Sequence, residues 1–263
     1  MSGFYIGVDG KARKIKGAYI GVDGVARKIK KGYIGDANGV ARLCYADSPY
    51  DPVFANNTWE DVIVACQTGN VPDEWSVGDQ MPMVIGGTNY TVNIIGKNHD
   101  DYSDGSGKAP LTFQLLHSYN NAGNINNDTA RSSWKTSAMR TTDLPQIKNA
   151  MPAEVQSAIK KVKKRCSSDG SSTMTNVTDD LFLLSEVEIF GNNANSFSGE
   201  GTQYEYYANG GSKKKKWNGT NYAWFTRSVY SQNYYCFVGV TSNGVSDYFG
   251  VTEGLGISPA FCF

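Results

Sequence analysis

Apolar and polar residues alternate over short stretches along this chain, and turn residues cut the pattern every few positions. The first 46 residues do this three times over. Phe4–Lys16 recurs as Tyr19–Lys30, and a third copy follows over Tyr33–Leu43, so that tyrosines fall at 5, 19 and 33 with a period of 14. Each copy carries Asp-Gly or Asn-Gly between two β-prone runs, which signals a tight hairpin because both turn residues take positive φ. The regular apolar positions are Ile6, Ile15, Ile20, Ile29 and Ile34. A hairpin this small cannot bury a face alone, so the repeat predicts a short stacked β-array that trimerises.

Asp47–Pro52 is rich in turn residues and predicts a linker over 47–56, which separates the repeat module (1–46) from a larger domain over 57–263. There, Asn57 or Thr58 opens a helix bearing Trp59, Val62, Ile63 and Cys66 on one face, closed by Gly69. Met81–Ile85 and Tyr90–Ile95 predict a hairpin around Gly86–Gly87, and Leu111–His117 a further strand. Short helices are expected at Ser132–Arg140 and Pro152–Lys160, and polar loops at Ser167–Thr178 and Asn192–Gly201. Trp224–Arg227, Tyr235–Val240, Val245–Phe249 and Ile257–Phe263 predict short strands. Helices interleaved with short antiparallel strands argue an α+β fold.

Tyr222–Glu253 stands out within this pattern. It holds 9 aromatic residues in 32, against 12% for the whole chain, and its only charged residues are Arg227, Asp247 and Glu253. Ser, Asn and Gly fill most of the gaps. Rigid amphipathic rings among small hydrogen-bonding residues are the chemistry of a binding surface, though a Tyr-lined β core has the same composition. Alternation along Tyr235–Val240 puts Cys236, Val238 and Val240 on one face and Tyr235, Phe237 and Gly239 on the other.

Charge refines the two-module picture. The chain is neutral overall, but residues 1–45 hold nine Lys or Arg against three Asp, a net +6 that leaves −6 for the rest. No apolar run reaches the roughly 18–20 residues that span a membrane, and the first residues lack the apolar core of a secretory signal. Synthesis in the cytoplasm without membrane insertion is expected. Five scattered cysteines with no CxxC pair predict mostly buried thiols.

Catalytic motifs are sparse. His99 and Asp100 lie in a polar run, but a calcium loop counted from Asp100 fails, because its third position is Tyr102 and its twelfth Leu111. His117, at the end of an apolar strand, predicts a hydrogen-bonded core residue. Glu186 and Glu188 sit two apart on an expected strand; paired carboxylates can serve a glycosidase, but a two-residue spacing is common on solvated faces. The basic runs Lys160–Arg165 and Lys213–Lys216 predict solvated faces at a helix end and in a Gly-rich loop. With a neutral overall balance they argue against nucleic-acid binding. No motif calls for a cofactor or a metal.

A set of motifs adds a resemblance. Trp75–Asp79, Ile94–Asp100, Ser133–Trp134 with Ser137–Arg140, and Leu183–Glu188 follow in order, closed by Trp224–Ser228 and Gly254–Phe261. Over roughly Asn57–Phe263 this resembles a domain-of-unknown-function family of phage and prophage tail or baseplate proteins from gut bacteria. The closing pattern is also similar to the C-type lectin-like fold in its formylglycine-generating-enzyme-like branch, which includes the variable proteins of diversity-generating retroelements. Two places depart from that pattern: Phe225–Thr226 stands where Trp-Leu is usual, and Ser228–Val229 where Ser-Pro is usual.

The resemblance implies a non-enzymatic receptor-binding protein carried on a phage tail. Its scaffold would be Trp224, Arg227, Cys236, Val238, Val240, Gly244, Gly254, Pro259 and Phe261. Its ligand-facing residues would be Tyr222, Tyr230, Gln232, Asn233, Tyr234, Tyr235, Phe237, Ser246, Asp247, Tyr248 and Phe249, without cofactor or metal. The implied partners are a host-surface protein or glycan and, through the repeats, other tail proteins. A homotrimer would multiply weak single-site affinity. Two other readings stay open: a structural tail-assembly protein, and a carbohydrate-active enzyme using Glu186, Glu188 or Asp100.

Overall fold

A computed structural model describes residues 5–8, 10–14, 18–29, 31–35, 41–46, 50–119, 123–126 and 133–263. The chain forms two compact units, Met1–Trp75 and Ser76–Phe263.

In the first unit the three repeats are three antiparallel hairpins: β1 (Tyr5–Val8) with β2 (Lys11–Lys14), β3 (Tyr19–Val22) with β4 (Val25–Lys28), and β5 (Lys31–Gly35) with β6 (Ala41–Ala46). The β3–β4 turn is made by Asp23 and Gly24, both at positive φ (53° and 76°), as its Asp-Gly pair predicts. Among the described residues each hairpin is a separate two-stranded sheet. On β3 and β4, Tyr19 (63% exposed), Ile20 (54%) and Val25 stand in solvent. Helix α1 (Trp59–Thr68) starts at a capping box, in which the Thr58 hydroxyl accepts from Asp61 N and the Asp61 carboxylate accepts from Thr58 N. It stops at Gly69, in the left-handed region at φ 66°. The turn-rich linker over 47–56 predicts this helix in the larger domain; it lies in the first unit. Trp75 packs edge-on against Phe54 and donates its indole N–H to Asp51 O at 2.9 Å, which holds the segment after the repeats to the end of that unit.

The second unit is mixed α/β, made mostly of small antiparallel sheets with few helices. Its largest sheet begins with β7 (Gln80–Ile85) and β8 (Thr88–Lys97), joined by Gly86 and Gly87 at φ 57° and 80°, and continues to β9 (Leu111–Leu115), which is buried throughout. After a 3-10 turn at Trp134–Thr136 and a π turn at Met139–Asp143 come α2 (Leu144–Asn149) and α3 (Ala153–Ala158). A hairpin of β10 (Val162–Ser167) and β11 (Met174–Asp179) follows. The run Lys160–Arg165, expected at a helix end, is therefore mostly strand, and so is half of the expected loop over Ser167–Thr178. Alternating Val162, Lys164 and Cys166 face inward there, a period of two that suits a half-buried strand.

Helix α4 (Glu186–Phe190) takes the place of the strand expected at Glu186 and Glu188. Ser185 and Glu188 form a capping box, and that local pairing wins over the apolar run before it. Then come α5 (Glu205–Ala208) and the hairpin of β12 (Lys215–Trp217) and β13 (Thr220–Tyr222). A three-stranded sheet of β14 (Trp224–Val229), β15 (Cys236–Val240) and β16 (Ser246–Gly250) follows in that order. Finally β17 (Ala260–Cys262) returns to pair with β9, giving the large sheet the order β17-β9-β8-β7. Trp134, Trp224, Phe113, Phe182, Phe225, Phe237 and Phe261 fill the core with essentially no exposure. Among the described residues no helix is long and apolar enough to cross a membrane.

Candidate functional site

Two groupings of polar and aromatic residues set the second unit apart. One is sealed in the interior.

Arg227, in the irregularly paired middle of β14, is fully buried and engages all five of its N–H groups. Nη1 and Nη2 donate to the two Glu188 oxygens at 2.5 and 2.9 Å, and the remaining three donate to the carbonyls of Arg165, Leu183 and Glu200. Lys164, 3% exposed on β10, donates to Asp100 Oδ1, to Glu188 Oε1 at 3.2 Å and to the Tyr204 hydroxyl at 2.7 Å, beneath the Phe182 ring at 3.9 Å. Asp100 also accepts from Thr112 Oγ1 at 2.5 Å and from Tyr204 Oη.

Two anions therefore face two cations in a dry interior, where removing any one partner would strand the rest. Burial alone would raise the Asp100 carboxyl, but the Lys164 ammonium holds it down at about 2. Burial would likewise raise Glu188, yet Arg227 and Lys164 keep it below its usual range. Glu200 lies beside this group, bonded to the Ser228 hydroxyl, and burial pushes it up to about 7. His99 stacks on Tyr204 with ring centres 3.9 Å apart, and burial lowers its basicity.

Both basic runs thus contain a buried lysine, which corrects their reading as solvated faces. In the second run it is Lys215 on β12, whose ammonium donates to Leu115 O at 2.7 Å and lies 5.0 Å from the Trp224 ring. Burial drives it down to about 7. His117 is also corrected: it lies exposed past the end of β9 and accepts from Lys216 N. Cys66, Cys166 and Cys262 are buried thiols and Cys236 is half-buried, while the Cys44 side chain lies outside the described residues.

The second grouping is at the surface, on the β14–β15–β16 sheet and the turn that joins β14 to β15. Tyr230 and Tyr248 stack nearly parallel, with centroids 4.3 Å apart and planes at 9°, and Tyr248 is 50% exposed. Tyr234 and Tyr235 pack together in the turn before β15, where Tyr235 is 44% exposed and its N–H donates to Asn233 Oδ1. Gln232, Asn233 and Asp247 are exposed beside them, and Ser246 and Phe249 are half-buried.

Glu186 holds this surface from below. Its buried carboxylate accepts from the N–H groups of Asn195 and Ser196 and from Ser246 Oγ at 2.5 Å, while the Asn195 side chain also reaches Ser246. Ser196 bridges to Tyr230, and Ser231 N donates to Asn195 O. One carboxylate thereby ties the loop over 192–201 to both sides of the tyrosine pair. β16 is an edge strand, and carboxylates cap two of its N–H groups: Asp247 caps Tyr248 and Glu253 caps Gly250. Such capping discourages pairing with another chain.

The division of β15 into an inner and an outer face does not hold. Phe237 is 0% exposed and leaves the ligand-facing set. The reason is that β15 is the central strand and is covered on both faces. Phe249 lies opposite Phe237 and across Gly239, where a Cβ would come within 2.7 Å of the Phe249 ring. Tyr222 is on β13, outside this sheet, with its hydroxyl on Gly254 O at 3.1 Å. Sequence reasoning missed Lys164, Tyr204, Thr112, Glu200 and the anchoring by Glu186. Only Lys164 left a trace, because Val162, Lys164 and Cys166 alternate on one strand face.

A cleft of about 440 Å³ lies elsewhere in the unit, lined among others by Arg140, Lys148, Lys161, Asp179 and Asp180. Its charges are largely paired, Arg140 with Asp179 and Lys148 with Asp180, each at 2.6 Å. Among known families, the model described as a domain of unknown function, DUF6273, matches residues 109–263. Comparison with curated proteins and with solved structures finds no match.

Proposed function

The chain belongs to the DUF6273 family, and on that footing we propose that it is a non-enzymatic, host-binding protein of a phage tail whose tyrosine-rich C-terminal surface takes the ligand. The observation that carries this reading is the Tyr230–Tyr248 stack, which joins the end of β14 to β16 across the three-stranded sheet and is held by the buried Glu186 carboxylate. Preordered rings bind at low entropic cost, and exposed Gln232, Asn233 and Asp247 supply hydrogen bonds around them. The ligand-facing set is Tyr230, Gln232, Asn233, Tyr234, Tyr235, Ser246, Asp247, Tyr248 and Phe249.

The fold under this reading is C-type lectin-like, and the C-terminal segment is open to retroelement diversification because exposed side chains there change without touching the core. The enzymatic alternative draws no support from Glu186, Glu188 and Asp100, which are buried and bonded to scaffold groups rather than paired across a cleft. The hairpin repeats serve attachment to other tail proteins and trimerisation. The exposed Tyr19, Ile20 and Val25 favour burial against a partner.

The test is binding of the labelled full chain to intact gut-bacterial cells. Saturable binding abolished by Tyr230→Ala with Tyr248→Ala, in a variant that still unfolds cooperatively, is the expected result. Equal binding by the double variant sinks the assignment of this surface. A reverse-transcriptase gene beside the coding sequence, with a near-copy of the 3′ segment differing at adenines, is expected if the surface is diversified.

A further inference from the structure

The sealed interior group contains what an amide-forming reaction needs. Lys164 Nζ touches Asp100 Oδ1, and both side chains are at most 3% exposed. Glu188 Oε1 stands 3.2 Å from the same nitrogen, and its other oxygen is gripped by Arg227. The Phe182 ring covers the amine at 3.9 Å. Thr112 Oγ1 and Tyr204 Oη both reach Asp100 Oδ2, at 2.5 and 2.9 Å. An amine is thus held against a carboxyl group, with hydroxyl donors on the carboxyl, a second carboxylate beside the amine and bulk water excluded.

We propose that Lys164 and Asp100 condense to an intramolecular isopeptide bond, with Glu188 as the proton carrier. The step begins with transfer of one proton from the Lys164 ammonium to the Asp100 carboxylate, giving a neutral amine beside a neutral acid. This exchange runs uphill, since the Lys164 contact holds the Asp100 carboxyl down at about 2, so the reactive pair is a minor species and the condensation is slow. The Nζ lone pair then attacks Cγ and the N–C bond forms. The carbonyl electron pair moves onto oxygen, where the Thr112 and Tyr204 hydroxyls stabilise it. Glu188 takes a proton from the nitrogen and delivers it to the departing hydroxyl, the C–O bond breaks, and water leaves. Amine and acid give amide and water, with no oxidant, reductant or cofactor.

Asp100 is the electrophile rather than Glu188 for a stated reason. Both Glu188 oxygens are held by Arg227 and its Oε1 stands 3.2 Å from Nζ, whereas Asp100 is the carboxyl in closest contact with the amine and carries two hydroxyl donors. The bond would tie the end of the β8 segment to β10, 64 residues along the chain. This inference is independent of the ligand-binding role.

The test is the intact mass of the purified full chain after denaturation, followed by peptide mapping. The expected result is a mass lower than the sequence requires by one water molecule, with a branched peptide containing both Asp100 and Lys164. Lys164→Arg and Asp100→Ala should each return to their full sequence masses. Substitutions in this hub compromise folding, so the unsubstituted chain decides. Full mass with separate Asp100 and Lys164 peptides, after prolonged incubation of the folded protein, overturns the proposal. A water loss mapped instead to an Asp-Gly site such as Asp104–Gly105 overturns it equally.

Discussion

The interior hub and the tyrosine surface of the second unit are both built from polar and aromatic residues, and they respond to change in opposite ways. In the hub, Arg227 uses five donors and Lys164 three, so every cation is tied to several elements at once. At the surface, Tyr230 and Tyr248 lean on each other, and the supporting bonds run through Glu186 and Ser246 beneath them. A hub residue is irreplaceable because its loss strands a buried charge. A surface ring can be exchanged at little cost to the fold. Residues suited to varying a ligand site are therefore the ones the core does not use.

The largest expected effect is at Arg227. Arg227→Met leaves Glu188 buried opposite a neutral side chain and should cost about 3–5 kcal/mol in urea unfolding. Arg227→Lys should recover little of it, because an ammonium cannot reproduce the planar fork that spans both Glu188 oxygens and three carbonyls. A loss below about 1 kcal/mol would dissolve the contrast between the two regions.

Glu186→Gln comes next, with an expected cost of about 1–3 kcal/mol, because a neutral amide cannot accept as the carboxylate does from the two N–H groups and Ser246. Hydrogen exchange should then speed up at Asn195 and Ser196, while β9 stays protected.

Glu200 sharpens the comparison through pH. Its folded-state value is raised from 4.5 to about 7, so its contribution is complete below 4.5 and is lost as pH rises through about 7. Melting temperature should fall over that window in the natural protein, and in Glu200→Gln the fall should be smaller. Lys215 acts in the opposite sense, since its value is lowered from 10.5 to about 7. Protonation therefore weighs against the fold, and stability should rise with pH above about 7 until 10.5. A Lys215→Met variant should lose that rise.

The smallest effect is expected at the surface. Tyr248→Ala removes one stacked ring, worth about 0.5–1.5 kcal/mol, and should leave the melting curve's shape unchanged. A larger loss would mean that the tyrosine pair belongs to the core.

Much of the fold could be read locally. Asp23–Gly24 and Gly86–Gly87 specify their hairpins, because few residues other than glycine and asparagine or aspartate take positive φ cheaply. Thr58 with Asp61, and Gly69 after them, specify α1. The strands at Trp224, Cys236 and Ser246 fall within one or two residues of their aromatic and β-branched runs. Readings failed where a residue's environment comes from distant chain. Alternation separates the two faces of β15 but cannot say that both are covered, and Phe237 is buried. At Glu186 and Glu188 the Ser185 cap competes with a β-prone run, and the helix wins.

The sequence by itself determined the hairpins, the capped helix and the aromatic enrichment of the C-terminal segment, because turn φ angles, caps and side-chain types act over four or five residues. Tertiary structure decided which charges are buried. Asp100, Lys164, Glu188 and Arg227 lie up to 127 positions apart, and no local pattern states that they meet. Only packing brings them together, and once water is excluded each depends on the others to remain in the interior.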